Sequence, residues 1–308
     1  MRENDVTTLT THLLRPMSPF DFAQTLGFLD GFAPTRGEQQ VEARSLTKAV
    51  RVHRRTVGFA LRSIGMVEAP GLTCDLFAER PLTSGVEEAA LDRVRFFLSL
   101  DEDLNPFYAL AQRDAPFQKV LRHLYGYHHV KFLTPFENAC WAVLTQRTPG
   151  EVARAMKRRL VETYGGSVQT PSGPLCAFPE PADLADITAA ELVALLGNPR
   201  KGEYLAAVVQ AFGQIEEHWL RQGPCDEVKV WLRGIRGLGE WSTTFVLLRG
   251  LGRMEGAVLD SQSSLFTREM MKAAAKVYGP LGFEALRAHA HHYGDWQGYW
   301  AHYLRAAG

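Results

Sequence analysis

The stretch from Val228 to Asp260, VKVWLRGIRGLGEWSTTFVLLRGLGRMEGAVLD, constrains this chain more than any other. A short helix through Val230, Trp231 and Leu232 runs into Gly234-Ile235-Arg236-Gly237-Leu238-Gly239, and a second helix begins at Glu240 and continues through Phe245, Val246 and Leu248. Glycines at 237 and 239, on either side of one buried leucine, permit a turn at about 230–250 too tight for side chains at either position. They also leave backbone N–H groups unpaired at a helix N-terminus, where the dipole and the free donors favour a phosphate. Two other readings compete. A dinucleotide fingerprint would need a third glycine where Ser242 stands and a strand where the preceding segment is helical, although Asp260 sits at the spacing of its ribose-binding acid. The plainer alternative is an αα-hairpin whose glycines only let two helices pack.

The 308 residues suggest about two domains, each able to bury a core. The balance of 34 basic and 34 acidic residues excludes a protein that coats nucleic acid through bulk charge, but leaves room for a local basic groove. Cys74, Cys140, Cys176 and Cys225 lie far apart, so neither a zinc site nor a disulfide framework is indicated. The N-terminus mixes both charge signs and has no apolar signal-type segment, and no run approaches a membrane span. The expectation is a reduced, soluble, cytoplasmic protein with no membrane partner.

Residues 1–105 read as a mixed α/β sheet domain. Arg44 to Gly65 alternates polar and apolar positions as half-buried strands do, Leu72 to Phe77 is another short strand, and Val86 to Leu100 has helical spacing. Asn105-Pro106 breaks that helix and marks a boundary. From 106 to 308 the pattern is helical. Thr134 with Glu137, Thr148 with Glu151 and Thr188 with Glu191 each have the spacing of a capping box, and a Gly- and Pro-rich loop from Gly165 to Pro181 separates the last two. Arg44, Lys48, Arg51, Arg54, Arg55 and Arg62 form a basic stretch whose plain reading is a solvated sheet face, with a DNA-facing role as the minority alternative. His289, His291 and His292 cluster without an accompanying carboxylate or cysteine at ligand spacing, so no metal site is expected.

The hairpin and Asp260 resemble the helix–hairpin–helix and catalytic aspartate of the HhH-GPD superfamily of DNA glycosylases, and within it most resemble the 3-methyladenine DNA glycosylase II family. Pro135-Phe136-Glu137 through Leu144-Thr145-Gln146 resembles the family's proline–aromatic–glutamate helix ending in glutamine. Phe178-Pro179-Glu180-Pro181 resembles its FPxP loop, Asp21-Phe22 with Leu26-Gly27-Phe28-Leu29 a motif of its N-terminal domain, and Asp295-Trp296-Gln297-Gly298-Tyr299 its C-terminal tryptophan segment. Their shared order implies an α+β protein: an N-terminal sheet domain followed by an all-α helix–hairpin–helix domain in two lobes, with the cleft between the lobes.

The resemblance implies hydrolysis of the N-glycosidic bond of alkylated bases, of 3-methyladenine type, in duplex DNA carrying damaged bases, by a monomeric base excision repair enzyme. Asp260 would be the catalytic carboxylate, set against the sugar's developing positive charge as in glycoside hydrolysis; otherwise it is only a helix cap. Trp241 stands where strand-cutting relatives place a Schiff-base lysine, so a monofunctional hydrolase is implied. An indole face also attracts a cationic base by roughly 0.5–2 kcal/mol. Phe245, Trp296, Phe136 and Gln146 are further pocket candidates. Gly237, Leu238, Gly239 and Thr243 are expected at the DNA backbone, and Arg147 sits where the family inserts an apolar wedge into the duplex, or else contacts a phosphate. No iron–sulfur cluster or other cofactor is implied, beyond a monovalent cation that hairpin carbonyls can hold in related proteins. The alternatives are a glycosylase of the same fold for deaminated or oxidised bases, and a non-catalytic DNA-binding module.

Overall fold

The computed structural model describes residues 8–256, 259 and 264–307. The N-terminal part contributes β1 (Thr8–Leu14), α1 (Phe22–Gly31), β2 (Gln39–Glu42), β3 (Ser45–Val52), β4 (Arg55–Ser63), β5 (Leu72–Ala78) and α2 (Ser84–Leu98). The strands form one antiparallel sheet in the order β1-β5-β4-β3-β2. The alternation between Arg44 and Gly65 thus resolves into the hairpin β3–β4. One face of the sheet buries Leu46, Val50, Phe59 and Leu76 against Val94 and Phe97 of α2.

The turn joining β3 to β4 is only His53-Arg54, and both residues have positive φ (49° and 60°). Such a two-residue turn matches the twist of the strands, but usually recruits glycine or asparagine. A distant carboxylate supports it here. Glu180 Oε1 accepts from His53 N over 3.1 Å and Glu180 Oε2 from Arg54 N over 2.6 Å.

The remainder comprises α3 (Asn105–Ala111), α4 (Gln118–His123), α5 (Pro135–Thr145), α6 (Gly150–Tyr164), β6 (Gly166–Thr170), β7 (Gly173–Ala177), α7 (Ala189–Leu196), α8 (Pro199–Gly213), α9 (Glu217–Gln222), α10 (Cys225–Gly234), α11 (Glu240–Phe245), α12 (Leu265–Tyr278), α13 (Phe283–Tyr293) and α14 (Gln297–Ala306). Two cores divide it. One lobe gathers α5 to α11 around residues such as Leu144, Leu160, Leu205, Leu232 and Val246. The other gathers α3, α4 and α12 to α14 around Phe107, Phe117, Tyr293, Trp300 and Tyr303. The class is α+β with two helical lobes, as the resemblance implies.

Three local expectations need correction. The second part is not wholly α: within the expected loop, β6 and β7 pair as a hairpin whose turn ends on Gly173 at φ +110°. Its Val168, Leu175 and Ala177 close over Ala49, Ala60 and Phe77 on the second face of the sheet. Thr134 does accept from Glu137 N (3.0 Å), but the Glu137 carboxylate does not complete a capping box. It is buried against Lys157 Nζ at 2.6 Å. Thr148 is not a cap, because Pro149 precedes α6 and the Thr148 hydroxyl donates back to Gln146 O at 2.9 Å. The box at Thr188 and Glu191 forms in full.

Candidate functional site

The hairpin is built by α10 and α11, with Ile235 and Leu238 turned into the core. Gly237 has φ +102°, and a Cβ there would meet the Tyr204 ring at 2.6 Å, so this position requires glycine on two counts. Gly239 differs. Its backbone is extended (φ −83°, ψ −175°) and a Cβ would meet nothing within 4 Å. What its glycine provides is an unobstructed approach to the start of α11, which has no side-chain cap.

Gln146, at the end of α5, donates from Nε2 to Gly237 O at 2.6 Å and lies 3.3 Å from Ser242 Oγ. Lys201 Nζ donates to the carbonyls of Val143 (3.0 Å), Leu144 (2.6 Å) and Gln146 (3.1 Å), the C-terminal end of the same helix where a cation is favoured. The next residue, Arg147, is exposed and held at φ +50°.

These residues line a cleft of about 870 Å³ that also presents Arg200, Arg233 and Arg236. The local basic groove that zero net charge left open is therefore here. It was not apparent in the sequence, because Asn198-Pro199-Arg200-Lys201 meets the hairpin only in the fold. Three members of the Arg44 to Arg62 stretch have partners on their own side of the molecule: Arg51 clasps Asp183 (2.5 and 2.7 Å), Arg54 donates to Ala182 O (2.9 Å), and Lys48 is buried near Glu38.

A second cavity, of about 370 Å³, lies between the lobes. Phe245 lines it, together with Phe28 and Phe32 from the α1 region and Phe266 from α12. Trp241 stacks on Phe245 with ring centroids 5.0 Å apart and planes 8° from parallel. Since Trp241 lines the basic cleft and Phe245 the aromatic cavity, the pair joins the two spaces. Trp241 is 39 % exposed, unusual for an indole serving only as core.

Not every expected site residue meets there. Phe136 is core, between Phe178 and Phe212, and lines neither space. Trp296 packs against Phe107 and Tyr299 within the C-terminal lobe and also lines neither. Thr243 is fully buried and lines neither space, while Leu238 is among the cleft's lining residues although it is buried. Asp260 lies outside the described residues; the nearest described positions on either side are Leu259, buried in the C-terminal core, and Ser264, which caps α12 by accepting from Thr267 N at 3.0 Å. Among the described residues no His, Cys, Asp and Glu group could hold a metal ion. His289 of the histidine cluster stacks on Tyr278 at 4.1 Å. No described helix is long and apolar enough to cross a membrane. Sequence reasoning missed Arg249, His129 and His302, which line the aromatic cavity; nothing in their local sequence marks them.

Residues 140–273 match the model of the HhH-GPD superfamily of base excision DNA repair proteins. It is 28% identical over 174 residues to a DNA-3-methyladenine glycosylase of Bacillus subtilis strain 168, a match covering 56% of this chain and 57% of that protein. The chain thus spans just over half the length of the curated relative it matches. The fold is shared with a 3-methyladenine DNA-glycosylase from Archaeoglobus fulgidus (TM-score 0.73, 17% identity, 96% of this chain and 97% of that one). It is shared too with the Clostridium acetobutylicum 8-oxoguanine glycosylase/lyase solved with double-stranded DNA (TM-score 0.66, 14% identity, 98% and 97%).

Proposed function

We propose that this chain is a monofunctional DNA glycosylase that hydrolyses the N-glycosidic bond of alkylated bases in duplex DNA. The observation that carries the reading is the Trp241–Phe245 stack, which lies between the hairpin cleft and the aromatic cavity with one ring lining each. The uncapped start of α11 and the basic residues of the cleft suit a short run of phosphates. In this reading Arg147, exposed at the tip beyond α5, either fills the gap that an extruded nucleotide leaves or contacts a phosphate.

In the proposed reaction the bond from the sugar C1′ to the base nitrogen breaks as a water oxygen bonds to C1′. The bond's electron pair leaves with the base, and the water's proton is released. Asp260 supplies the negative charge that stabilises the cationic sugar and orients the water. Trp241 cannot form an imine, and Lys201, the amine that does line the cleft, is engaged with three carbonyl oxygens. Hence no strand cleavage is expected. The test is base release from duplex DNA carrying alkylated bases, neutral 1,N6-ethenoadenine as well as methylated purines, by the wild type and by Asp260→Asn, with gels run before and after alkali. Release that requires Asp260 and leaves alkali-labile, uncut strands supports the reading. Equal release by both proteins removes the catalytic assignment, and nicking without alkali removes the monofunctional one.

A further inference from the structure

The aromatic cavity holds polar groups that stacking alone does not use. The Arg249 guanidinium sits over the rings of Phe28 (4.7 Å) and Phe32 (4.9 Å). Its Nη1 lies 3.0 Å from His129 Nε2. An arginine only donates, so His129 Nε2 accepts and the neutral imidazole carries its proton on Nδ1. Burial and the neighbouring Arg249 charge hold both His129 and His302 well below the usual histidine range. Burial also lowers Arg249 to about 10, which leaves it cationic at neutral pH. Arg249 Nη2, His129 Nδ1 and His302 Nε2 are buried without a hydrogen-bond partner, and all three side chains line this cavity. No acidic residue lies among the described residues lining it.

Unpaired buried donors are costly, and a ligand presenting acceptors removes that cost. A fixed positive charge in a partly desolvated cavity likewise opposes a second one. Phe28 and Phe32, which could otherwise cradle a cationic ring, already face a guanidinium.

We infer that Arg249 is a specificity-determining residue, which makes the cavity select neutral alkylated purines presenting a nitrogen or oxygen lone pair over purines carrying a formal positive charge. The inference rests on the glycosylase reading and narrows its substrate class. Arg249 places its charge at the cavity wall, where a base with an acceptor edge can engage the guanidinium, His129 and His302 are among the other lining residues, and Phe245, backed by Trp241, supplies a stacking face.

The experiment uses the full chain and duplexes carrying one 1,N6-ethenoadenine, which is neutral, or one 7-methylguanine, which is cationic. Single-turnover base release is measured for wild type, Arg249→Met and Arg249→Lys, with thermal melts of each. Binding of free ethenoadenine base is followed in parallel by tryptophan fluorescence. Wild type should release ethenoadenine faster than 7-methylguanine. Arg249→Met should lose at least tenfold on ethenoadenine while keeping or gaining rate on 7-methylguanine, and should bind the free base more weakly. Arg249→Lys retains the charge without the fork, so it should stay slow on 7-methylguanine. A wild-type preference for 7-methylguanine, or an equal loss on both substrates in the Met variant, overturns the role of Arg249 and leaves the glycosylase reading standing. Arg249-dependent binding of the free base without release of either base would do the reverse, and absence of both release and binding would remove both.

Discussion

Gln146 Nε2 lies 2.6 Å from Gly237 O and 3.3 Å from Ser242 Oγ, so one amide at the end of α5 ties both sides of the hairpin to the Arg147 turn. Gln146→Ala should therefore act on position more than on stability. Loss of these two half-buried hydrogen bonds costs about 1 kcal/mol each, a modest shift in melting temperature. The same change should weaken binding to duplex DNA severalfold, as measured by fluorescence anisotropy. Unchanged affinity would show that the hairpin holds its place without the amide.

The two hairpin glycines should respond oppositely. Gly237→Ala puts a Cβ 2.6 Å from the Tyr204 ring in a left-handed conformation, and strain of this kind costs on the order of 1–3 kcal/mol; a clear fall in thermal stability is expected. Gly239→Ala meets open space, so its melt should match the wild type while DNA binding weakens. A stability loss at Gly239 as large as at Gly237 would contradict this division.

Arg200 and Arg233 line the cleft from separate helices. If each neutralises one phosphate, Arg200→Ala and Arg233→Ala should each reduce the slope of log affinity against log salt by about 1, whatever the sequence of the duplex. Arg55, which donates to Arg80 O on the sheet side at 3.1 Å, serves as the control, and Arg55→Ala should leave the slope unaltered.

Lys157 is buried and pairs at 2.6 Å with both Glu137 and Glu38. Burial opposes its charge, but Glu137 and Glu38 outweigh that and raise the amine above its ordinary 10.5. A raised lysine contributes stability that is fully present below the unfolded value and is lost as pH rises through the folded one. Chemical denaturation should thus show a component that falls away above about pH 10.5 and is absent from Lys157→Met. That variant, leaving carboxylates uncompensated, should also lose about 3–5 kcal/mol at neutral pH.

The legible parts of the fold were those whose cause is local. Gly237 and the alternation of Val50, Val52, Val57 and Phe59 announce a tight turn and paired strands because backbone conformation and pleat depend on near neighbours. Glu137 shows the limit: three residues after Thr134 it has the spacing of a cap, but the ammonium of Lys157, twenty residues on, captures its carboxylate. The β6–β7 hairpin escaped for the same reason, since its strands are specified by the sheet face they cover rather than by their own composition. Trp241 and Phe245 are one helical turn apart and could be paired on sight. Arg249, His129 and His302 converge from three distant segments, and no spacing rule connects them.

The contact of Glu180 with the His53-Arg54 turn carries a consequence for how such a chain can be divided. The two left-handed residues of that turn are steadied by a carboxylate more than 120 residues away, and Ala49, Ala60 and Phe77 are shielded by a hairpin from the same distant region. Cutting after residue 105 would strip an apolar face and leave two turn amides without their acceptor. The sheet is therefore not a detachable module, and a recombination event that exchanged it alone would have to bring its own cover.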